Sequence, residues 1–174
     1  MQILIPSDRI AHRVKELAGE VAQHYQGRPV TIIGVLTGCL IFLADLVRRL
    51  DLPLQIHLVQ ASSYRGAATT PGQLNLRLDT LPELAGRDVL LVDDILDTGQ
   101  TISKVVEELR RRGSARVRVA VLLRKEGRQQ VAFEPDHVGF VIPDAFVVGY
   151  GLDYNDEYRN LPHIAVLPTQ PDRA

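Results

Sequence analysis

Apolar residues along this chain follow two rhythms, and their alternation suggests the architecture. Ile10, Val14, Leu17, Val21 and Tyr25 recur every three or four residues after Ser7 and Asp8. That spacing predicts an amphipathic helix with a polar cap at its start and Gly27 at its end. The next stretch, VTIIGVL ending at Leu36, is a continuous apolar run that suits a strand buried on both faces. IFLADLVRRL follows with helical spacing through Phe42, Leu46, Val47 and Leu50, and TISKVVEELRRRG reads as a helix stopping at Gly113. LQIHLVQA, DVLLVDD, VRVAVLL and the shorter FVVGY and HIAVL are the further strand candidates. Strands alternating with helices imply an α/β fold with a largely parallel twisted sheet flanked by helices.

Two stretches break the rhythm. SSYRGAATTPGQLNLRL carries few apolar residues, and Gly66, Pro71 and Gly72 discourage regular structure. An irregular segment of that length is uncommon unless it is a functional lid or disordered. The tail PTQPDRA, residues 168–174, reads as frayed. With no internal repeat, low-complexity block or interdomain linker, residues 1–174 are expected to form one domain with a substantial core.

Acidic and basic residues nearly cancel, for a formal charge of -1, so no general affinity for polyanions is implied despite the local cluster Arg110 to Arg112. Nucleic acid is therefore not an expected partner. Cys39 is the single cysteine and has no intrachain partner; beside apolar residues it reads as packing, in keeping with a reducing cytosol. No stretch has the makeup of a signal peptide or the ~18 apolar residues of a membrane span, so a soluble, cytoplasmic protein is expected. The five histidines are scattered without a paired ligand spacing and are assigned no chemistry.

The chemistry gathers in VLLVDDILDTGQT, Val89 to Thr101. Four apolar residues run into Asp93 and Asp94, then Asp97, and a loop of small and hydroxylated residues follows. Unit charges about 4 Å apart interact by ~1 kcal/mol in water and ~4 kcal/mol near a protein surface, so three carboxylates call for a cation or ligand. In a parallel sheet, ligands collect beyond the carboxyl ends of the strands, where Asp93 and Asp94 fall. Thr98 to Thr101 lead into a helix beginning near Ile102, whose first amides lack helical partners and carry the positive end of the dipole. That is an anion pocket beside acids able to accept hydrogen bonds from sugar hydroxyls or hold magnesium, and a phosphorylated ribose suits both halves. The bland alternative is that the aspartates cap a helix and solvate a loop. Adjacent strand residues point to opposite faces, so Asp93 and Asp94 can serve one ligand only if the strand is ending there.

The same stretch closely resembles the phosphoribosyl pyrophosphate (PRPP) signature of the type I phosphoribosyltransferases: an apolar run, two acids, two spacers and D-T-G-x-T. PDHVGFVIPDAFVVGYGLDYNDEYRNLPHIAVL resembles the corresponding segment of the bacterial-type hypoxanthine-guanine phosphoribosyltransferases, with Lys125 upstream, and IIGVLTGCLIFLADL and SSYRG occur in the expected order. The resemblance covers nearly the whole chain. It implies a hood built from the N- and C-terminal segments over the sheet. It also implies purine salvage: transfer of the 5-phosphoribosyl group from PRPP to N9 of hypoxanthine or guanine, giving IMP or GMP and pyrophosphate, with Mg2+ as cofactor. Homodimers or homotetramers are common in that family.

By that resemblance, Thr98, Gly99, Gln100 and Thr101 bind the 5′-phosphate, with Ile95 and Leu96 packed beneath. Asp93 and Asp94 face the ribose hydroxyls and magnesium. Asp97 is the general base at N7 of the purine. Lys125 meets the 6-oxo group, which a donor-only ammonium favours over the 6-amino group of adenine. Phe146 stacks on the ring, the backbone at Val147 reads its polar edge, and Asp153 helps hold a second magnesium. Leu36, Thr37 and Gly38 form the pyrophosphate loop, expected to contain a cis peptide, and Arg159 grips pyrophosphate oxygens. Ser63 and Tyr64 begin a mobile loop whose closure excludes water. Read alone, Lys125, Phe146, Val147, Asp153 and Arg159 would pass for a snorkelling lysine, core or surface side chains and a turn aspartate. Two positions depart from the family: Thr37 stands where lysine or arginine is common, and Asp93 where glutamate is frequent.

Two other readings compete. A pyrimidine-regulatory, RNA-binding relative would want a basic face and a uracil pocket, against the near-neutral charge and the setting of Lys125 and Phe146. A phosphoacceptor receiver module also pairs acids at a strand end, but after an early strand, whereas Asp93 and Asp94 lie mid-chain and flow into D-T-G-x-T.

Overall fold

A computed structural model describes residues 1–63 and 74–168. Tyr64 and the following residues of the expected mobile loop, and the tail from 169, lie outside the described residues.

Strand β1 (Gln2–Ile5) precedes helix α1 (Ser7–Tyr25), β2 (Val30–Leu36), α2 (Leu40–Val47), β3 (Leu54–Ser63), β4 (Leu74–Arg77), β5 (Asp88–Leu96), α3 (Gln100–Arg111), β6 (Arg116–Lys125), β7 (His137–Ile142), β8 (Val147–Val148) and β9 (Ile164–Val166). Among the described residues, six strands form one sheet in the order β4-β3-β2-β5-β6-β7, all parallel except β4, which pairs antiparallel with β3. The remaining three form a small antiparallel sheet, β1-β9-β8, from the two ends of the described chain. FVVGY and HIAVL thus leave the main sheet and build the hood with β1.

Period-two alternation divides the core. Ile32, Leu90 and Val92 face α1 and α2, packing with Leu17, Val21, Phe42 and Leu46, while Ile33, Val89 and Leu91 face α3, packing with Ile102, Val105 and Leu109. Each fully buried Leu, Ile or Val removed from water contributes roughly 1.5–3 kcal/mol, which explains why the central strands read as continuous apolar runs. Among the described residues no helix is long and apolar enough to cross a membrane.

Several expectations are corrected. Ser7 and Asp8 lie inside α1 rather than capping it: Pro6 holds the cap position, and no side chain bonds the free amides. The segment expected to be irregular contains β4, because LNLRL alternates apolar and polar and Leu76 meets Ala61 across the pair. No helix joins β6 to β7; residues 126–136 cross as an irregular loop, and β7, unforeseen, closes the sheet as an edge strand. Helix α3 starts at Gln100, two residues earlier than expected. The histidines are not all scattered: His24 Nδ1 lies 3.3 Å from His137 Nε2, joining α1 to β7. Arg111 and Arg112 both pair with Glu108, which offsets one of the three charges in the arginine cluster.

Candidate active site

The three carboxylates sit at the carboxyl end of β5, beside a cavity of about 260 Å³ lined by Leu36, Gly38, Asp93, Asp94, Asp97, Thr98, Gly99 and Thr101, among others. A larger recess of about 640 Å³ opens at the opposite ends of the strands, around Pro29, Pro53 and Gly86, away from these acids. Position along the strands, rather than volume, selects the smaller one.

Asp93 and Asp94 reach a common cavity although β5 does not end with them. Its pairing with β6 continues through Leu96 opposite Arg124, whereas pairing with β2 stops at Gly34 opposite Val92. Alternation slips at the acids: Ile95 packs on the α1/α2 side and Leu96 on the α3 side, the reverse of the order up to Val92. The expectation that the strand must be ending is therefore corrected; a slip in side-chain phase serves instead. Asp94 N–H donates to Asp93 Oδ1 at 3.0 Å. Burial pushes both carboxyls above the usual carboxylate range, and for Asp93 the neighbouring Asp94 charge adds to it. Both would regain full charge most readily beside a cation.

Glycines let three segments converge. A Cβ at Gly38 would stand 1.8 Å from Asp94 Oδ2, and one at Gly151 would stand 2.2 Å from Gly38 O, at a backbone φ of +104°. Gly151 thus packs against the turn that holds Gly38, a close approach with no signal in the sequence. The Leu36–Thr37 peptide is cis. Thr37 itself is exposed, and its side chain does not line the cavity.

Gly99 precedes α3 with φ +83°, a left-handed turn that suits glycine. Ser103 N–H bonds Gly99 O at 3.0 Å, while the earlier amides have no carbonyl a turn behind them within the helix. The Gln100 amide points to Thr98 Oγ1 at 3.4 Å, and the Gln100 side chain turns away to Gln130 Oε1 at 2.7 Å. Cys39 is fully buried at the start of α2, and burial raises its thiol far above its ordinary range, which fits packing and not nucleophilic chemistry.

Asp97 is held by two cations from the β6 side. Arg128 Nε donates to its Oδ1 at 3.1 Å and Lys125 Nζ to its Oδ2 at 3.5 Å. Asp144 Oδ1 lies 3.6 Å from both cations. Lys125 is 8 % exposed at the end of β6, so its buried ammonium is compensated by the two acids. Arg128 and Asp144 escaped the sequence reading because each looked like a surface charge in a loop.

The chain matches the phosphoribosyl transferase domain over residues 5–155. It belongs to the phosphoribosyl transferase family. The chain is 41 % identical over 166 residues to the hypoxanthine-guanine phosphoribosyltransferase of Bacillus subtilis, covering 95 % of this chain and 92 % of that one. It is 40 % identical to the bifunctional protein TilS/HprT of Listeria innocua, but spans only 26 % of that protein's length. A hypoxanthine-guanine phosphoribosyltransferase crystal structure from Bacillus anthracis superposes with a TM-score of 0.89 at 35 % identity, covering 96 % of this chain and 98 % of that one.

In this member of the family the hood region holds Phe146, Val147, Asp153 and Arg159, which do not line the carboxylate cavity. Phe146 is 45 % exposed and meets Tyr154 edge-on, ring centroids 5.6 Å apart. Val147 is buried in β8 opposite Val166. Arg159 Nη2 lies 2.8 Å from Asp153 Oδ1, and Asp153 Oδ2 accepts the Asp156 N–H at 2.9 Å. Arg159 also donates to Gly151 O at 2.7 Å, and its charge acts on Asp94, lowering that carboxyl's affinity for protons. Ser63 ends β3.

Proposed function

We propose that this chain transfers the 5-phosphoribosyl group of PRPP to N9 of hypoxanthine or guanine, with Mg2+, in the cytoplasm. The observation that carries the reading is the placement of Asp97 beside Lys125 at the mouth of a cavity that also contains the Asp93–Asp94 pair and the start of α3. One end of that arrangement suits a phosphate on loop amides and threonine hydroxyls; the other suits a 6-oxopurine.

In the reaction, the C1–oxygen bond to pyrophosphate breaks as N9 forms its bond to the same carbon, and the proton on N7 passes to Asp97. Positive character developing on the ribose is met by the negative field of Asp93 and Asp94. Lys125 donates to the 6-oxo group, Phe146 covers the ring, and the backbone at Val147 reads its edge. Thr98 to Thr101 hold the 5′-phosphate, Leu36 to Gly38 and Arg159 the pyrophosphate side, and closure of the loop starting at Ser63 and Tyr64 keeps water out.

Asp93 and Asp94 are hard oxygen donors that line one cavity, which supports a magnesium role; Asp153 is the proposed partner of a second ion. Among the described residues no three His, Cys, Asp or Glu side chains gather to hold a metal. Magnesium would therefore take its remaining ligands from substrate oxygens and water, as that ion commonly does; when bound, it neutralises the leaving pyrophosphate. A homodimer or homotetramer is part of the same reading, supported by exposed apolar side chains at Leu40 and Ile41 on α2 and at Ile56 and Leu58 on β3.

The test is a spectrophotometric assay with PRPP, magnesium and, in turn, hypoxanthine, guanine, xanthine, adenine and uracil. Turnover of hypoxanthine or guanine with adenine and uracil inert is expected. Absence of turnover with every 6-oxopurine would overturn the proposal.

A further inference from the structure

Resting on the purine-transfer reading, we propose that Arg128 and Asp144 are positioning residues: Arg128 fixes the proton acceptor Asp97 through one oxygen, and Asp144 holds the ammonium of Lys125 that reads the purine. Neither touches substrate in this scheme. Both act through the residues that do.

The geometry divides the labour. Asp97 has two carboxylate oxygens with different partners, Oδ1 toward Arg128 at 3.1 Å and Oδ2 toward Lys125 at 3.5 Å. A purine arriving with its 6-oxo group and N7 on adjacent positions competes for Lys125 and for one carboxylate oxygen together. The longer contact, Lys125 to Oδ2, is the one to exchange: Lys125 turns to the 6-oxo group, and Oδ2 is freed for the N7 proton. Arg128 stays on Oδ1 and stops the carboxylate from rotating. Without that grip, a free carboxylate would present either oxygen over a range of torsions, and proton transfer needs alignment within hydrogen-bond reach.

Asp144 makes the exchange electrostatically possible. Its Oδ1 stands 3.6 Å from both Lys125 Nζ and Arg128 Nε, so the four groups form a network with no net charge. When Lys125 leaves Asp97 it keeps one carboxylate partner, and its buried ammonium is never unpaired. The loop that carries Arg128 is pinned to the same place: Gln129 Nε2 donates to Lys125 O at 2.6 Å and reaches Asp97 O at 3.4 Å, and Gln130 N–H bonds Thr98 O at 2.9 Å. The irregular β6–β7 connection is thereby a scaffold for the base, laid across the loop that Asp97 begins.

Arg128 and Asp144 are 44 % and 54 % exposed at the side chain, so their ion pairs contribute little to stability and their loss should leave the fold intact. The experiment uses the full chain with PRPP, magnesium and hypoxanthine. Arg128→Gln is expected to lower kcat by about 10- to 100-fold with the KM for PRPP changed by less than about twofold, and Arg128→Lys, which restores one donor, to recover most of the loss. In an Asp97→Asn background, where no carboxylate remains to be aligned, Arg128→Gln should lower kcat by less than about twofold. Asp144→Asn should raise the KM for hypoxanthine about tenfold and change kcat much less. If Arg128→Gln costs the same in both backgrounds, or leaves the wild-type kcat intact, or if Asp144→Asn leaves the purine KM unchanged, the proposal is overturned. A wild-type chain inactive on all 6-oxopurines would refute the purine-transfer reading itself, a result distinct from an active enzyme indifferent to these variants.

Discussion

Gly38 and Asp94 occupy space that no side chain at position 38 could share: an added Cβ would come 1.8 Å from Oδ2 and 2.5 Å from Cγ of the carboxylate. The glycine at the turn before α2 and the second acid of β5 therefore fit as a pair. Gly38→Ala can be accommodated only by displacing Asp94 from the cavity, at a cost of roughly 1–3 kcal/mol as for other overpacked sites. The expected outcome is a modest fall in melting temperature with a much larger loss of kcat/KM for PRPP. A Gly38→Ala protein with wild-type kinetics would show that Asp94 need not stand where it does.

Asp97→Asn keeps the shape of the side chain and its contact distance to Arg128 while removing the proton acceptor. Turnover with hypoxanthine should fall by about 10²–10⁴-fold, the usual range for a general base. PRPP affinity, measured by calorimetry in the presence of magnesium, should change little, since the phosphate loop begins one residue later. Equal losses in turnover and PRPP binding would remove Asp97 from the role of base.

The parts of this molecule that local pattern encodes were open to sequence reading. The apolar runs of β2, β5 and β6 mark strands buried on both faces, and Asp93, Asp94 and Asp97 lie at a carboxyl end because a parallel sheet puts such a loop there. What pattern cannot encode is who arrives from elsewhere. Arg128 meets Asp97 from 31 positions further along the chain, Asp144 meets the two cations around it from 47 positions further, and nothing in EGRQQ or IPDAF states that they will. Gly151 carries no sequence signal of its own, yet it must be small because Gly38 O lies against it. β7 was overlooked since an edge strand holding Gly139 and half-buried residues lacks the continuous apolar signature of its neighbours. The phase slip at the acids has no sequence signal at all, because strand alternation is assumed and its exception is set by the hood and helix packing around Ile95 and Leu96.

The His24–His137 contact supplies a pH dependence. His137 is 3 % exposed, and burial first, then the neighbouring His24, lowers its proton affinity below the ordinary 6.5 of an imidazole. The folded state thus binds fewer protons than the unfolded state between that lowered value and 6.5. Stability from the neutral ring is fully present above pH 6.5 and is lost as pH falls through that window. Melting temperatures from pH 5 to 8 should decline on the acid side, and His137→Gln, which cannot protonate there, should flatten the decline. An identical acid-side slope in the variant would show that other groups control it.

Lys125 offers a sharper test of base choice, because its chemistry permits only donation. A lysine ammonium opposite position 6 matches an oxo group and meets the 6-amino group of adenine with donors facing donors. Sites that hydrogen-bond a substrate polar group can discriminate strongly, since a mismatch strands a desolvated partner. Lys125→Gln supplies both a donor and an acceptor one bond closer to the backbone and removes a charge that Asp97 and Asp144 now share. Hypoxanthine kcat/KM should fall by about 10²-fold while any adenine turnover stays level or rises, so that their ratio narrows by at least about tenfold. The freed Asp97 retains Arg128 at 3.1 Å and should keep its place, so the narrowing reports on base reading and not on a displaced proton acceptor. If hypoxanthine and adenine rates fall in parallel, Lys125 acts on the carboxylates alone, and selection against the amino group resides in the backbone around Val147.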